Sequence, residues 1–146
     1  MALLAHLLRL LVLAAVLIAA PAVAQTRSNL PAAERNAIQT VIESQLGAFR
    51  ADDGERAFSY AAPNIRGIFR TADNFMTMVR RGYQPVYRPR EVRFGDLVTV
   101  EAALVQKVYV TGPDGSRHLA LYVMEQQADG RWLINGCMLA EPEDEV

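Results

Sequence analysis

Apolar residues Ile38, Val41, Ile42, Leu46 and Phe49 fall three and four positions apart, which draws one hydrophobic stripe along a helix from about Pro31 to Arg50. Pro31 suits a first helical turn, where the missing amide is not needed, and Glu34 follows it. Asp52-Asp53-Gly54 breaks this helix. Asp53 can then cap a shorter second helix carrying Ala57, Phe58 and Ala61, which Pro63 stops. A short apolar segment spans Asn64 to Phe69. Beyond it Thr71 caps a third helix with Phe75, Met78 and Val79 turned inward and Gly82 at its C-terminal end.

From Tyr83 the hydrophobic pattern changes. Pro85 and Pro89 in YQPVYRPREVRF forbid helix, and β-rich runs follow at Glu91 to Glu101, Leu104 to Thr111, His118 to Gln127 and Trp132 to Ala140. Gly112-Pro113-Asp114-Gly115 marks one turn. Ala128-Asp129-Gly130 marks the next, with Gly130 in the left-handed position of a three-residue hairpin loop. The expected fold class is α+β, with three N-terminal helices packed on a curved antiparallel sheet of about four strands. Residues 31–140 form one domain, 25–30 a short linker and 141–146 an acidic tail that frays.

A three-residue loop sets the register of the last hairpin. It places Cys137 opposite Leu121, so that Leu119, Leu121 and Val123 share an inner face with Leu133, Asn135, Cys137 and Leu139. The outer face then collects His118, Ala120, Tyr122 and Met124 with Trp132, Ile134, Gly136 and Met138. Tyr109, Tyr122, Met124, Trp132, Ile134 and Met138 form an aromatic and sulfur-bearing patch on that face, the kind of surface that marks an interface. Self-association into a homodimer through the outer sheet face is the use expected for it.

The N-terminus changes the picture of where the chain works. A lone Arg9, an apolar run from Leu10 to Ala20, Pro21 and then Ala22-Val23-Ala24 have the form of a secretory signal peptide over residues 1–24. The run is shorter than the ~20 apolar residues of a bilayer-spanning helix. Cleavage before Gln25 leaves 122 residues, exported to the periplasm or secreted, with no membrane attachment; an uncut anchor is the alternative. Without Arg9 and His6, 14 basic side chains face 16 acidic ones, and His118 is the only histidine. Basic residues scattered among acidic ones do not make the stripe a nucleic-acid binder needs.

Cys137 is the only cysteine, so no internal disulfide forms and stability rests on the core. On the inner face it reads as a small hydrophobe. His118 lies on the other face, too far for a thiolate-imidazole pair. One histidine and one cysteine apart from each other build no transition-metal site, and Asp52-Asp53-Gly54-Glu55 reads as a turn and helix cap rather than a calcium loop. No nucleophile elbow or phosphate cradle occurs, and no cofactor is implied. The candidate ligand contacts are Tyr83, Tyr87 and Arg90, where the last helix hands over to the sheet, with Asn135 and Cys137 on the inner face.

The segments DDGERAFSYAAPNIRGIF, NFMTMVRRGYQPVYRP and LYVMEQQADGRWLINGCML resemble an uncharacterised bacterial family, domain-of-unknown-function family 4864, over about Ala33 to Leu139. The order of helices followed by a curved antiparallel sheet is also similar to the NTF2-like cone superfamily. Members of that superfamily include ketosteroid isomerases, polyketide cyclases and non-catalytic binding or dimerisation modules. Its enzymes commonly place Asp, His or Tyr inside the cone, whereas the inner strand positions here are mostly aliphatic. Two functions stay open. One is a non-catalytic exported module that binds a small apolar ligand or a protein, or dimerises, and this is the favoured reading. The other is an isomerase- or cyclase-type enzyme with Tyr83 or Tyr87 as oxyanion donor and Asp96 as base.

Overall fold

A computed structural model describes residues 22–143; the proposed signal peptide falls almost wholly outside them, as does the end of the acidic tail. The order is β1 (Thr26–Arg27), α1 (Ala32–Arg50), α2 (Gly54–Ser59), α3 (Pro63–Phe69), α4 (Ala72–Gly82), α5 (Gln84–Tyr87), β2 (Glu91–Val100), β3 (Ala103–Thr111), β4 (Arg117–Gln126) and β5 (Trp132–Ala140). The strands make one antiparallel sheet in the order β1-β2-β3-β4-β5. The fold is therefore α+β, with five helices and five strands among the described residues, where the sequence pattern predicts three and about four.

Helix caps follow the sequence. The Asp53 side chain accepts from the Arg56 amide at 3.1 Å and the Thr71 hydroxyl from the Asn74 amide at 3.1 Å. Two helices depart from expectation because proline opened them instead of forbidding them. Pro63 starts α3 and Pro85 sits in the first turn of α5, positions where a missing donor does no harm. Strand β1 lies in the segment expected to be a linker and pairs Thr26 with Thr99 and Arg27 with Val98.

Between β2 and β3 the chain reverses on Glu101 and Ala102 alone, with φ of 48° and 68°. Both are left-handed, as a tight two-residue hairpin turn requires, although neither is glycine. Gly130 takes φ 89° in the β4–β5 loop, as expected there. A bulge in β2 at Gly95 and Asp96 is held by Gln106, buried on β3, whose amide donates to the Gly95 carbonyl at 2.9 Å and the Lys107 carbonyl at 3.0 Å.

The core lies between the helices and one sheet face. Ile38, Ile42 and Leu46 of α1 and Phe75 and Val79 of α4 meet Val108, Tyr122, Met124, Trp132 and Ile134 of the sheet. This reverses the faces expected for the last hairpin. Tyr122, Met124, Trp132 and Ile134 are buried against helices and cannot belong to a solvent-facing interface patch; of the six patch residues only Tyr109 and Met138 stay on the opposite face, Met138 well exposed.

The register explains why. Near the loop the pairing is as expected, with Gln126 opposite Trp132 and Met124 opposite Ile134, but a bulge at Asn135 then moves Val123 opposite Gly136 and Tyr122 opposite Cys137. The extra residue flips every side chain beyond it. Cys137 thus joins the Tyr122 face, while Leu119 and Leu133, expected inside with it, lie on the other side. The choice of face follows area, since burying tyrosine, tryptophan and methionine removes more apolar surface from water than burying leucine and valine.

Candidate functional site

A pocket of about 350 Å³ opens between the helices and the core face of the sheet. Gln45 and Phe49 of α1 form its floor on one side, and Phe75, Met78 and Val79 of α4 one wall. Ile65, Ile68 and Phe69 of α3 form the mouth, while Tyr122, Ile134, Gly136 and Cys137 form the sheet wall. Tyr83 and Val86 close the end where α4 passes into α5.

Local sequence explains each placement. The α1 stripe carries Phe49 one turn beyond Leu46, and Gln45 is tied down by donating from its amide to the Ala57 carbonyl at 3.2 Å. The segment between α2 and α3 runs beside the β5 edge, where the Ala62 amide donates to Ile134 and the Ile134 amide to Tyr60, at 2.8 and 2.9 Å. That edge pairing leaves α3 over the pocket with none of its seven residues buried.

Most polar groups of the lining already have partners. The Tyr83 hydroxyl donates to the Cys137 carbonyl at 2.9 Å, which pins the end of α4 to β5. Tyr122 differs. It is 1% exposed, and among the described residues its hydroxyl finds no oxygen or nitrogen partner, only the Cys137 thiol beside it, a weak one. Burial holds the Tyr122 phenol far above its ordinary value, with Cys137 beside it adding to the effect. Burial likewise pushes the Cys137 thiol up to about 12, an effect that the neighbouring Tyr122 only partly offsets. Both groups are protonated at neutral pH, and the thiol is a poor nucleophile.

The structure brings together two of the five expected ligand contacts, Tyr83 and Cys137. Tyr87 points away, donating from its hydroxyl to Asp52 while Arg88 stacks 3.9 Å above its ring. The Asp52 carboxyl is held below its ordinary value chiefly by that tyrosine, with help from Arg88 and Arg80. Arg90 is exposed beside the Gly112–Gly115 turn, its amide donating to the Thr111 carbonyl at 2.8 Å. Asn135 forms the β5 bulge outside the pocket lining, and its side-chain oxygen has no partner among the described residues.

Asp96, the base of the enzyme reading, lies on the surface 3.0 Å from Arg27, with both side chains more than half exposed. Among the described residues, no Asp, Glu, Lys, Arg or His lines the pocket. His118 and Cys137 do share a face, contrary to expectation, but His118 is four residues along β4 from Cys137's partner Tyr122, about 13 Å at strand rise. His118 borders instead a larger, polar hollow of about 870 Å³ with Arg93, Tyr109, Arg117 and Glu143. That hollow is wide and mixed in charge, whereas the smaller pocket sits on the core and has Tyr122 and Cys137 in its wall. The smaller pocket is therefore the candidate site.

Sequence pattern missed Tyr122, Ile134 and the pocket-facing side of α3. The available signal was size: the larger side chains of the hairpin belonged inside.

A family model described as Domain of unknown function (DUF4864) matches residues 31–146. Comparison with curated proteins and with solved structures gives no significant match.

Proposed function

The chain belongs to the DUF4864 family, and for this member we propose a non-catalytic binding role, in which the pocket between helices and sheet holds a small apolar ligand. The observation that carries this reading is the buried Tyr122 hydroxyl, which among the described residues has no partner stronger than the Cys137 thiol, at the wall of an apolar pocket. Buried hydroxyls are ordinarily paired with oxygen or nitrogen, and one held only against a thiol in the wall of a ligand-sized space gains a stronger partner when a ligand acceptor presses into that wall. The size supports it, since small-molecule pockets begin at about 300 Å³. Acid-base catalysis receives no support from the lining, which offers tyrosines, an amide and a protonated thiol but no carboxylate or imidazole to accept a proton. We retain export as part of the proposal, on the N-terminal pattern alone.

Fluorescence titration with the polarity-sensitive probe 1-aminonaphthalene, small enough for the pocket and neutral at pH 7, tests the site. The probe is expected to brighten and saturate with the wild-type protein, and Met78→Trp, which thickens the α4 wall at a half-exposed position, should weaken it at least tenfold. No saturable binding, or equal binding by the variant, contradicts the reading.

A further inference from the structure

We propose that the occupant of this pocket is an uncharged molecule of about a dozen non-hydrogen atoms, apolar along its body, whose single hydrogen-bond acceptor seats against Tyr122. A ketone, ester or amide carbonyl has the right chemistry. The inference rests on the binding reading above and adds the head group that the site selects.

Three observations lead to it. The first is the state of the donors. Tyr122 stands mid-sheet between Gln106 on β3 and Cys137 on β5. The Gln106 amide is already bonded to the Gly95 and Lys107 carbonyls, the Gln45 amide to Ala57 and the Tyr83 hydroxyl to Cys137. Only the Cys137 thiol stands against the Tyr122 hydroxyl, and sulfur is a weak hydrogen-bond partner. A trapped water needs two to four polar partners, and this wall offers it little besides the phenol and a weak thiol. What converges here are an O–H and an S–H, both protonated, and an oxygen acceptor satisfies the phenol better than the thiol sulfur does.

The second observation is charge. No ionisable carboxylate, amine, guanidinium or imidazole lines the pocket, so a ligand carboxylate, phosphate or ammonium would enter without a counter-charge. Desolvating an unpaired ion is strongly unfavourable, which excludes charged head groups at the Tyr122 end.

The third is shape. At roughly 30 Å³ per heavy atom, the share of a water in the liquid, about 350 Å³ takes about twelve atoms. Tyr122 lies at the sheet wall and Ile68 of α3 is 63% exposed at the mouth, so the acceptor enters first and the apolar body lies toward α3.

NMR chemical-shift titrations with three matched compounds test the proposal: 4-phenylbutan-2-one, butylbenzene and 4-phenylbutanoate at pH 7. The ketone is expected to bind at least tenfold more tightly than the hydrocarbon and at least tenfold more tightly than the carboxylate. Tyr122→Phe should erase the gap between ketone and hydrocarbon while leaving hydrocarbon binding intact. The wild-type ranking stands as a test even without the variant. If ketone and hydrocarbon bind wild type equally, or the carboxylate binds best, the head-group inference falls and the pocket survives. If none of the three shifts any pocket resonance, both fall.

Discussion

Phe75→Ala is expected to remove about 3–5 kcal/mol of folding stability. The Phe75 ring of α4 lies 5.2 Å from Phe58 of α2, 5.7 Å from Phe69 of α3 and 6.2 Å from Phe49 of α1, so one side chain joins four helices. It is 6% exposed and forms part of the pocket wall. Truncation removes the transfer energy of a buried phenyl group and opens space beside an existing pocket, where little can collapse to fill it. Three ring pairs are lost as well, each contributing about 0.5–1.5 kcal/mol beyond area. A domain of this size has roughly 5–15 kcal/mol in all, so the variant should sit near the edge of folding. Phe75→Leu, which keeps most of the volume, should lose much less. Urea denaturation measures both, and a loss under about 1 kcal/mol for the alanine variant would show that the four helices do not depend on this ring.

The second large effect is expected in alkali. The Cys137 thiol moves from an ordinary 9.0 to about 12 on folding because burial disfavours the thiolate. The native state therefore keeps its proton where the unfolded chain releases it. This contribution is fully present below pH 9 and is lost between pH 9 and about 12, since over that range the unfolded state binds fewer protons. The slope approaches roughly 1.4 kcal/mol per pH unit, and because Cys137 is only partly buried at the pocket wall the full effect stays below the ~4 kcal/mol of the whole shift. Tyr122, raised by the same burial, acts in the same direction above its ordinary 10.0. Other groups titrate there too, so the relevant quantity is the difference between wild type and Cys137→Ala. Their stability curves should run parallel up to about pH 8 and then converge or cross, with wild type falling faster. Curves that remain parallel to pH 11 would mean that the thiol is not desolvated.

Much of the fold was legible because its signals are local. The stripe of α1, the caps Asp53 and Thr71, the glycine at the β4–β5 turn and the ends of β5 each depend on a few adjacent residues. Where local rules compete, the reading went astray. Pro63 and Pro85 are compatible with both a helix stop and a first turn, and the structure uses them as first turns. Two residues of β1 are too few for any period to register.

The site was harder to read, for a physical reason. Strand alternation divides residues into two faces without saying which one meets the helices, and the β4–β5 hairpin has apolar residues on both. Asn135 compounds this, because its bulge carries Cys137 from one face to the other, and the adjacent Gly136, the one local sign of it, does not say which residue is the extra one. Tyr83 and Cys137 were found by position at the junction of layers. Tyr122 was assigned outward with the rest of its face, and it became the centre of the site once that face turned in.

The claim on which the binding account rests is that the Tyr122 hydroxyl has, among the described residues, no partner stronger than the Cys137 thiol. Paired denaturation of Tyr122→Phe and Tyr83→Phe tests it directly, because the Tyr83 hydroxyl is bonded to the Cys137 carbonyl at 2.9 Å and serves as the internal standard. The account predicts that Tyr83→Phe loses about 1 kcal/mol while Tyr122→Phe leaves stability unchanged or raises it by up to about 1 kcal/mol. A loss of 1 kcal/mol or more on Tyr122→Phe would mean that the hydroxyl is already satisfied inside the fold, and the pocket would have no open group to offer a ligand.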